Sequence, residues 1–406
     1  MSILIQNIKG LVQTRGRQIS TVKGKDMKTL PMLENAFLLI ENGKVKSFGS
    51  MSESPERADE IIDASGRYVL PVWCDPHTHI VYAGSRESEF VDKINGLSYE
   101  EIAKRGGGIV NSAKRLNDTD ARELYDSAWQ RLDEMRSFGT GAVEIKSGYG
   151  LSYEGELKML RVIKKLKETS PLTIRATFLG AHAYPPAFRE DHEGYIHLLI
   201  HRLLPQIADE GLADYIDVFC DRGFFSADET SRILEAGARY GLRPKIHANE
   251  LDYSRGIETG VNHHALSVDH LEFTGEEQIQ ALLGSDTMPT LLPSTAFFLG
   301  LHYAPARKMI DAGLPIALAT DYNPGSSPSG NMQFILSLAC IKMKMLPEEA
   351  INAATVNAAY AMGVESTLGS ITVGHKANII ITKPIPSLTF IPYSFANNLV
   401  EKVIIS

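Results

Sequence analysis

The period of apolar and polar positions changes twice along the chain. From Ser2 to Tyr68, short alternating runs such as Ala36–Ile40 and Lys44–Phe48 are separated by Gly and Asn turns, which predicts antiparallel strands. After Val69 the runs become almost continuously apolar. They alternate with stretches whose apolar residues recur every three or four positions, the pattern of buried parallel strands covered by helices. Eight such strands can be read: Val69–Trp73, Ala142–Lys146, Thr173–Leu179, Tyr215–Phe219, Pro244–Ile246, Leu266–Val268, Thr287–Leu292 and Pro315–Ala319. Eight is the number that closes a barrel, so an α/β fold with a (β/α)8 TIM-like barrel over residues 69–368 is expected. Ser370–Val373 and Asn378–Thr382 return to the style of the N-terminus, so residues 1–68 and 369–406 are expected to build one small composite β-sheet domain. Ser226–Glu229 and Thr274–Glu277 read as capping boxes. Ala121, Leu124, Tyr125, Ala128, Leu132 and Met135 form a helical stripe that packs on a core.

Composition narrows the classes. The 406 residues carry 41 basic and 49 acidic side chains, a formal charge of −8, so no bulk positive charge draws the molecule to nucleic acid or anionic membrane. No apolar run is long enough to cross a bilayer. Cys74, Cys220 and Cys340 are far apart and in no paired spacing, which argues against a disulfide framework and fits a reducing compartment. The first ten residues lack a basic start, a long apolar stretch and a small-residue cleavage site, so a cytoplasmic enzyme is expected.

In such a barrel the active site forms where strands end, and five of the twelve histidines fall there. His77 and His79 follow the first strand, His182 the third, His247 ends the fifth and His270 the sixth, while Asp321 follows the eighth. Residues two apart in an extended segment point the same way, so His77 and His79 can share an ion. Alone, a His-x-His pair is more often two surface or core-satisfied imidazoles than a metal site. With His247 and Asp321 added, four nitrogen and oxygen donors converge and leave room for water, whose pKa a divalent ion lowers toward neutrality. Asp321 could also take a proton from that water, though it could instead simply cap the following Tyr-Asn-Pro-Gly turn. His192, Glu193 and His197 imitate a zinc helix, but the imidazoles are five residues apart where four would align them.

Pro71-Val-Trp-Cys-Asp-Pro-His77-Thr-His79 resembles the strand-one signature of the amidohydrolase superfamily, and His247, His270 and Asp321 fall at its strand-five, strand-six and strand-eight positions. Dinuclear members carry a bridging lysine at the end of strand four, where this chain has Phe219-Cys-Asp-Arg-Gly, so a mononuclear site is implied. Lys146, at the end of strand two, is the nearest lysine and is not expected to bridge. Several further segments resemble the imidazolonepropionase family, across most of the chain: Gly84-Ser-Arg86-Glu-Ser-Glu-Phe90, Arg105-Gly-Gly-Gly-Ile109, Lys146-Ser-Gly-Tyr149-Gly, Gly180-Ala-His182-Ala-Tyr-Pro, His247-Ala-Asn-Glu250 and Thr320-Asp-Tyr-Asn323-Pro-Gly325.

The resemblance implies hydrolysis of 4-imidazolone-5-propanoate to N-formimidoyl-L-glutamate, with one zinc or iron ion on His77, His79, His247 and Asp321, and a homodimer. It gives Arg86 the substrate carboxylate and places Tyr149, His182, Glu250, Asn323, Gly325 and Ser326 around the ring and product. Asp321, Glu250 and His270 are then the catalytic groups, with Glu250 shuttling a proton and His270 polarising the carbonyl. Each of the binding residues also has an ordinary reading: Arg86 as a loop cation paired with Glu87 or Glu89, Tyr149 as a loop plug, His182 as a capped core histidine. A heterocycle deaminase on the same scaffold and a non-catalytic relative are the alternatives. Ring opening against ammonia release separates the first, and an empty site without hydrolysis would mark the second.

Overall fold

The computed structural model describes residues 1–97 and 107–406, and Arg105 and Gly106 of the glycine-rich segment lie outside them. Eight parallel strands form one sheet in sequential order: Trp73–Thr78 (β1), Thr140–Lys146 (β2), Thr173–Ala181 (β3), Tyr215–Cys220 (β4), Arg243–Ala248 (β5), Ser267–His270 (β6), Met288–Leu291 (β7) and Ala317–Leu318 (β8). The curl closes just past the two edge strands. His79 N–H donates to the Tyr322 carbonyl at 2.9 Å and Asp321 N–H to the His77 carbonyl at 3.0 Å. Asp75 fastens the same seam, accepting from the Thr320 N–H at 3.0 Å and its hydroxyl at 2.6 Å. The residues that close the barrel are therefore neighbours in sequence of the candidate ligands.

The first strand differs from its expectation. Tyr68–Pro71 pairs with Ser2–Val12 and Ile379–Thr382 in the second sheet, and the barrel strand begins only at Trp73. One apolar run thus serves two sheets, which a period of hydrophobicity cannot divide. That second sheet joins both ends of the chain in the order Val400–Ile404, Ile379–Thr382, Tyr68–Pro71, Ser2–Val12, Met32–Glu41, Lys44–Ser50, with Glu60–Asp63 also on Ser2–Val12. Its core is built from Ile5, Ile8, Leu38, Val69 and Ile379. Ser370–Val373 is no strand: only Ile371 bridges, to Thr14.

Helix ends follow local chemistry. Ser226 caps Ala227–Ala238 in a reciprocal box with Glu229. The second expected box does not form: the Thr274 hydroxyl turns back to the Leu271 carbonyl, and Gln278 Oε1 accepts one-way from the Gly275 N–H at 3.0 Å. In Ala121–Ser137 the buried positions are Leu124, Ala128, Leu132 and Met135, with Ala121 exposed at the first turn.

Candidate active site

His77, His79 and His247 bring one ring nitrogen each to within 4.8 Å of the others, all three side chains buried. The separations have a meaning. His77 Nε2 and His79 Nε2 are 3.2 Å apart, and Asp321 Oδ1 stands 3.6 and 3.5 Å from them. A tetrahedral ion with donor distances of about 2.0–2.1 Å keeps its donors about 3.3–3.4 Å apart, so these spacings suit a single ion at their centre. His247 Nε2 is buried with no protein partner, an orphan that an ion would satisfy. Burial, then Lys146 and the neighbouring imidazoles, holds His77 far below the usual imidazole range, so it is neutral and able to ligate.

The far sides of two of these rings are fixed. His77 Nδ1 donates to Asp269 Oδ2 at 2.6 Å and His247 Nδ1 to Asp217 Oδ1 at 3.1 Å, which leaves both Nε2 atoms as acceptors. Both carboxylates belong to a cluster sealed inside the barrel. Lys146 Nζ bonds Glu144 Oε1 and Asp217 Oδ2, each at 2.7 Å, and lies 3.5 Å from Asp269 Oδ2, while Lys245 bonds Glu144 Oε2. Burial alone would lower the Lys146 pKa, but Asp217, Glu144 and Asp269 outweigh it and hold the ammonium charged. The sequence analysis passed over Glu144, Asp217, Lys245 and Asp269. Their signal is a charged residue at alternate positions of otherwise apolar strands, as in Ala-Val-Glu-Ile-Lys and Tyr-Ile-Asp-Val-Phe, which marks the barrel's inward face.

Above the ligands opens a cavity of about 560 Å³ lined by Arg86, Tyr149, His182, Glu250, His270, Asp321, Asn323, Gly325 and Ser326 among others, so every expected site residue still unplaced reaches it. Arg86 donates from Nε to Ser112 Oγ at 2.8 Å, yet its Nη2 is buried without a partner. It pairs with neither Glu87 nor Glu89: Glu89 instead accepts from the Gly108 N–H and Glu87 from Ser85. An unspent guanidinium N–H in a cavity is a receptor for a carboxylate. His182 donates from Nδ1 to the Gly148 carbonyl at 3.0 Å, and burial followed by His247 depresses its pKa to about 3, so it is neutral with Nε2 as an acceptor.

Asp321 has a left-handed backbone, φ 53°, and is followed by a tight turn in which Asn323 Oδ1 accepts from the Gly325 and Ser326 N–H groups at 2.8 and 2.9 Å. Thr295 donates to Asp321 Oδ2 at 2.6 Å, leaving Oδ1 for the ion side. Burial raises Asp321 to about 6 despite that hydroxyl. Burial, then Asp321 and Asp221, pushes Glu250 up to about 8, and its Oε2 lies 3.6 Å from His270 Nδ1. Consecutive left-handed residues, His270 at φ 83° and Leu271 at φ 72°, turn the chain sharply at the end of β6, the kind of strain that concentrates at functional sites.

The other histidines stand outside the ligand group. His192 stacks on Tyr184 at 3.6 Å between centroids, His197 meets His201 at a tilt of 43°, and His302 meets the Glu272 carbonyl.

A model of the amidohydrolase family matches residues 68–406. Proteins named imidazolonepropionase from Flavobacterium johnsoniae and Geobacillus kaustophilus are 61% and 42% identical, over 100% and 99% of this chain and 99% and 96% of theirs. Among solved structures, an E. coli guanine deaminase has a similar fold, with a TM-score of 0.75 over 100% of this chain and 97% of that one at 14% identity. A triazine hydrolase from Arthobacter aurescens aligns with a TM-score of 0.74 over 100% and 93% at 16% identity. At such identities the likeness is one of fold.

Proposed function

The chain belongs to the imidazolonepropionases of the amidohydrolase family, and from that premise we propose that it hydrolyses 4-imidazolone-5-propanoate to N-formimidoyl-L-glutamate, a step of histidine breakdown. The observation that carries this reading is identity of 40–61% with relatives of that name, along the whole chain at the upper end. The site offers what the chemistry requires.

His77, His79, His247 and Asp321 would hold one zinc or iron ion, which would supply a Lewis acid and bring water to nucleophilic strength near neutral pH. Arg86 receives the propanoate carboxylate on its free N–H groups, which fixes the ring at the other end of the cavity. Tyr149, Asn323, Gly325 and Ser326 line the ring's flank, and His182 accepts from a ring N–H. Asp321 accepts the proton of the attacking water, with Oδ2 held by Thr295 and Oδ1 turned to the ion side. His270, on the wall of the same cavity, polarises the ring carbonyl. Glu250, protonated at pH 7, gives its proton to the departing ring nitrogen. The bond between the carbonyl carbon and that nitrogen then breaks: the nitrogen leaves with the proton, and the carbonyl carbon, still bonded to the rest of the ring skeleton and now carrying the water oxygen, becomes the new carboxylate.

We further infer a homodimeric, cytoplasmic enzyme, which sedimentation and fractionation check; no helix among the described residues is long and apolar enough to cross a membrane. Purified protein given imidazolonepropanoate should form formimidoylglutamate and release no ammonia. Ammonia from an aminated heterocycle, with imidazolonepropanoate untouched, would overturn the assignment.

A further inference from the structure

We propose that Lys146 is a positioning residue that presets two metal ligands: through Asp217 and Asp269 it holds His247 and His77 with Nε2 as the free acceptor before any ion binds. This rests on the metal reading of the histidine group.

The geometry is that of a hub. Lys146 on β2 reaches across the barrel interior to a carboxylate on β4 and another on β6. Asp217 divides its oxygens, Oδ2 to the ammonium at 2.7 Å and Oδ1 to both the backbone N–H and Nδ1 of His247 at 3.1 Å. Asp269 Oδ2 faces His77 Nδ1 at 2.6 Å and Lys146 at 3.5 Å, while its Oδ1 accepts from the Ser267 hydroxyl at 2.5 Å. A carboxylate only accepts, so each imposes Nδ1–H on its histidine. Three buried carboxylates share the interior with two ammonium groups, and Lys245 spends its protons on Glu144 and on the Pro76 and Ala361 carbonyls at 3.1 and 3.2 Å. Lys146 is thus the cation bonded to Asp217 and nearest to the oxygen that holds His77. Without it the carboxylates repel one another, and one that turns away releases its imidazole to either tautomer.

The test reads the imidazole nitrogens by long-range ¹H–¹⁵N correlation in metal-stripped protein, with the two rings assigned from His77→Gln and His247→Gln. In the wild type both are expected as single Nδ1–H tautomers; averaged tautomers would overturn the proposal. In Lys146→Gln the tautomers should average and zinc affinity by chelator competition should fall roughly 10- to 100-fold, against less than about threefold in Lys245→Gln. Equal losses in both, or unchanged tautomers in Lys146→Gln, would overturn it.

Should Lys146→Gln not fold, Asp217→Asn decides. Lys146 should claim the lone amide oxygen and turn the NH2 onto His247, reversing that tautomer while His77 keeps its own; an unreversed His247 would show that Lys146 does not govern the group. A wild type that binds no zinc defeats the metal reading, whereas averaged tautomers in a zinc-binding wild type defeat this inference alone.

Discussion

At the scale of single residues, Arg86 and Glu250 make the most separable demands. Arg86 reserves a buried N–H for a carboxylate, and a hydrogen bond to a charged group contributes about 1.5–3 kcal/mol. Arg86→Gln should therefore raise KM roughly 10- to 100-fold with a smaller change in kcat, since the contact exists in ground and transition states alike. Steady-state kinetics check this, and an unchanged KM would remove the carboxylate role. As the proposed acid, Glu250 would act in its protonated form, present below its raised pKa of about 8. The expected kcat falls as pH rises through about 8, and Glu250→Gln should lose that alkaline limb along with most of its rate. A pH profile unaltered by the substitution would assign the proton elsewhere. The convergence of His77, His79, His247 and Asp321 was legible because they sit at strand ends in readable spacing. For Asp217 and Asp269 only the inward face was readable, from charge within an apolar strand; which histidine each meets was not, because only the closed barrel brings each onto a histidine from another strand.

At the scale of elements, turns and caps divide function from stability. A Cβ at Gly325 would crowd Arg86 Nη1, and because the far end of that side chain can move, Gly325→Ala should cost aim more than fold. KM should rise toward that of Arg86→Gln with little change in Tm; a lowered Tm with unchanged KM would mark Gly325 as structural only. Ser226→Ala removes a reciprocal cap on the outer face and should cost about 0.5–2 kcal/mol of stability without altering kcat, which denaturant unfolding beside a rate assay checks. Strand existence was readable from apolar runs, whereas strand ownership was not. Tyr68–Pro71 and Trp73–Thr78 are one run in sequence and belong to different sheets, and what separates them is pairing with Ile379–Thr382 from the other end of the chain. The Thr274 box failed for a smaller reason: the Thr274 hydroxyl bonds back to the Leu271 carbonyl, and Gln278 accepts one-way from the Gly275 N–H.

At the scale of the whole molecule, the seam between β1 and the segment after β8 is also the floor of the candidate site. His77, His79 and Asp321 take part in the backbone bonds that close the barrel, so metal binding and barrel closure are expected to reinforce each other. An ion that binds only the folded state stabilises it in proportion to its occupancy, so chelation should lower Tm and zinc or iron should restore it. The measurement that bears most directly on the central claim is the loss of imidazolonepropanoate over time by metal-stripped protein titrated with zinc or iron, run beside His247→Ala. Activity should be absent without metal, rise to a plateau at one ion per chain, yield formimidoylglutamate, and stay at background in His247→Ala at every metal level. Full turnover by the stripped protein, or by His247→Ala, would contradict the account.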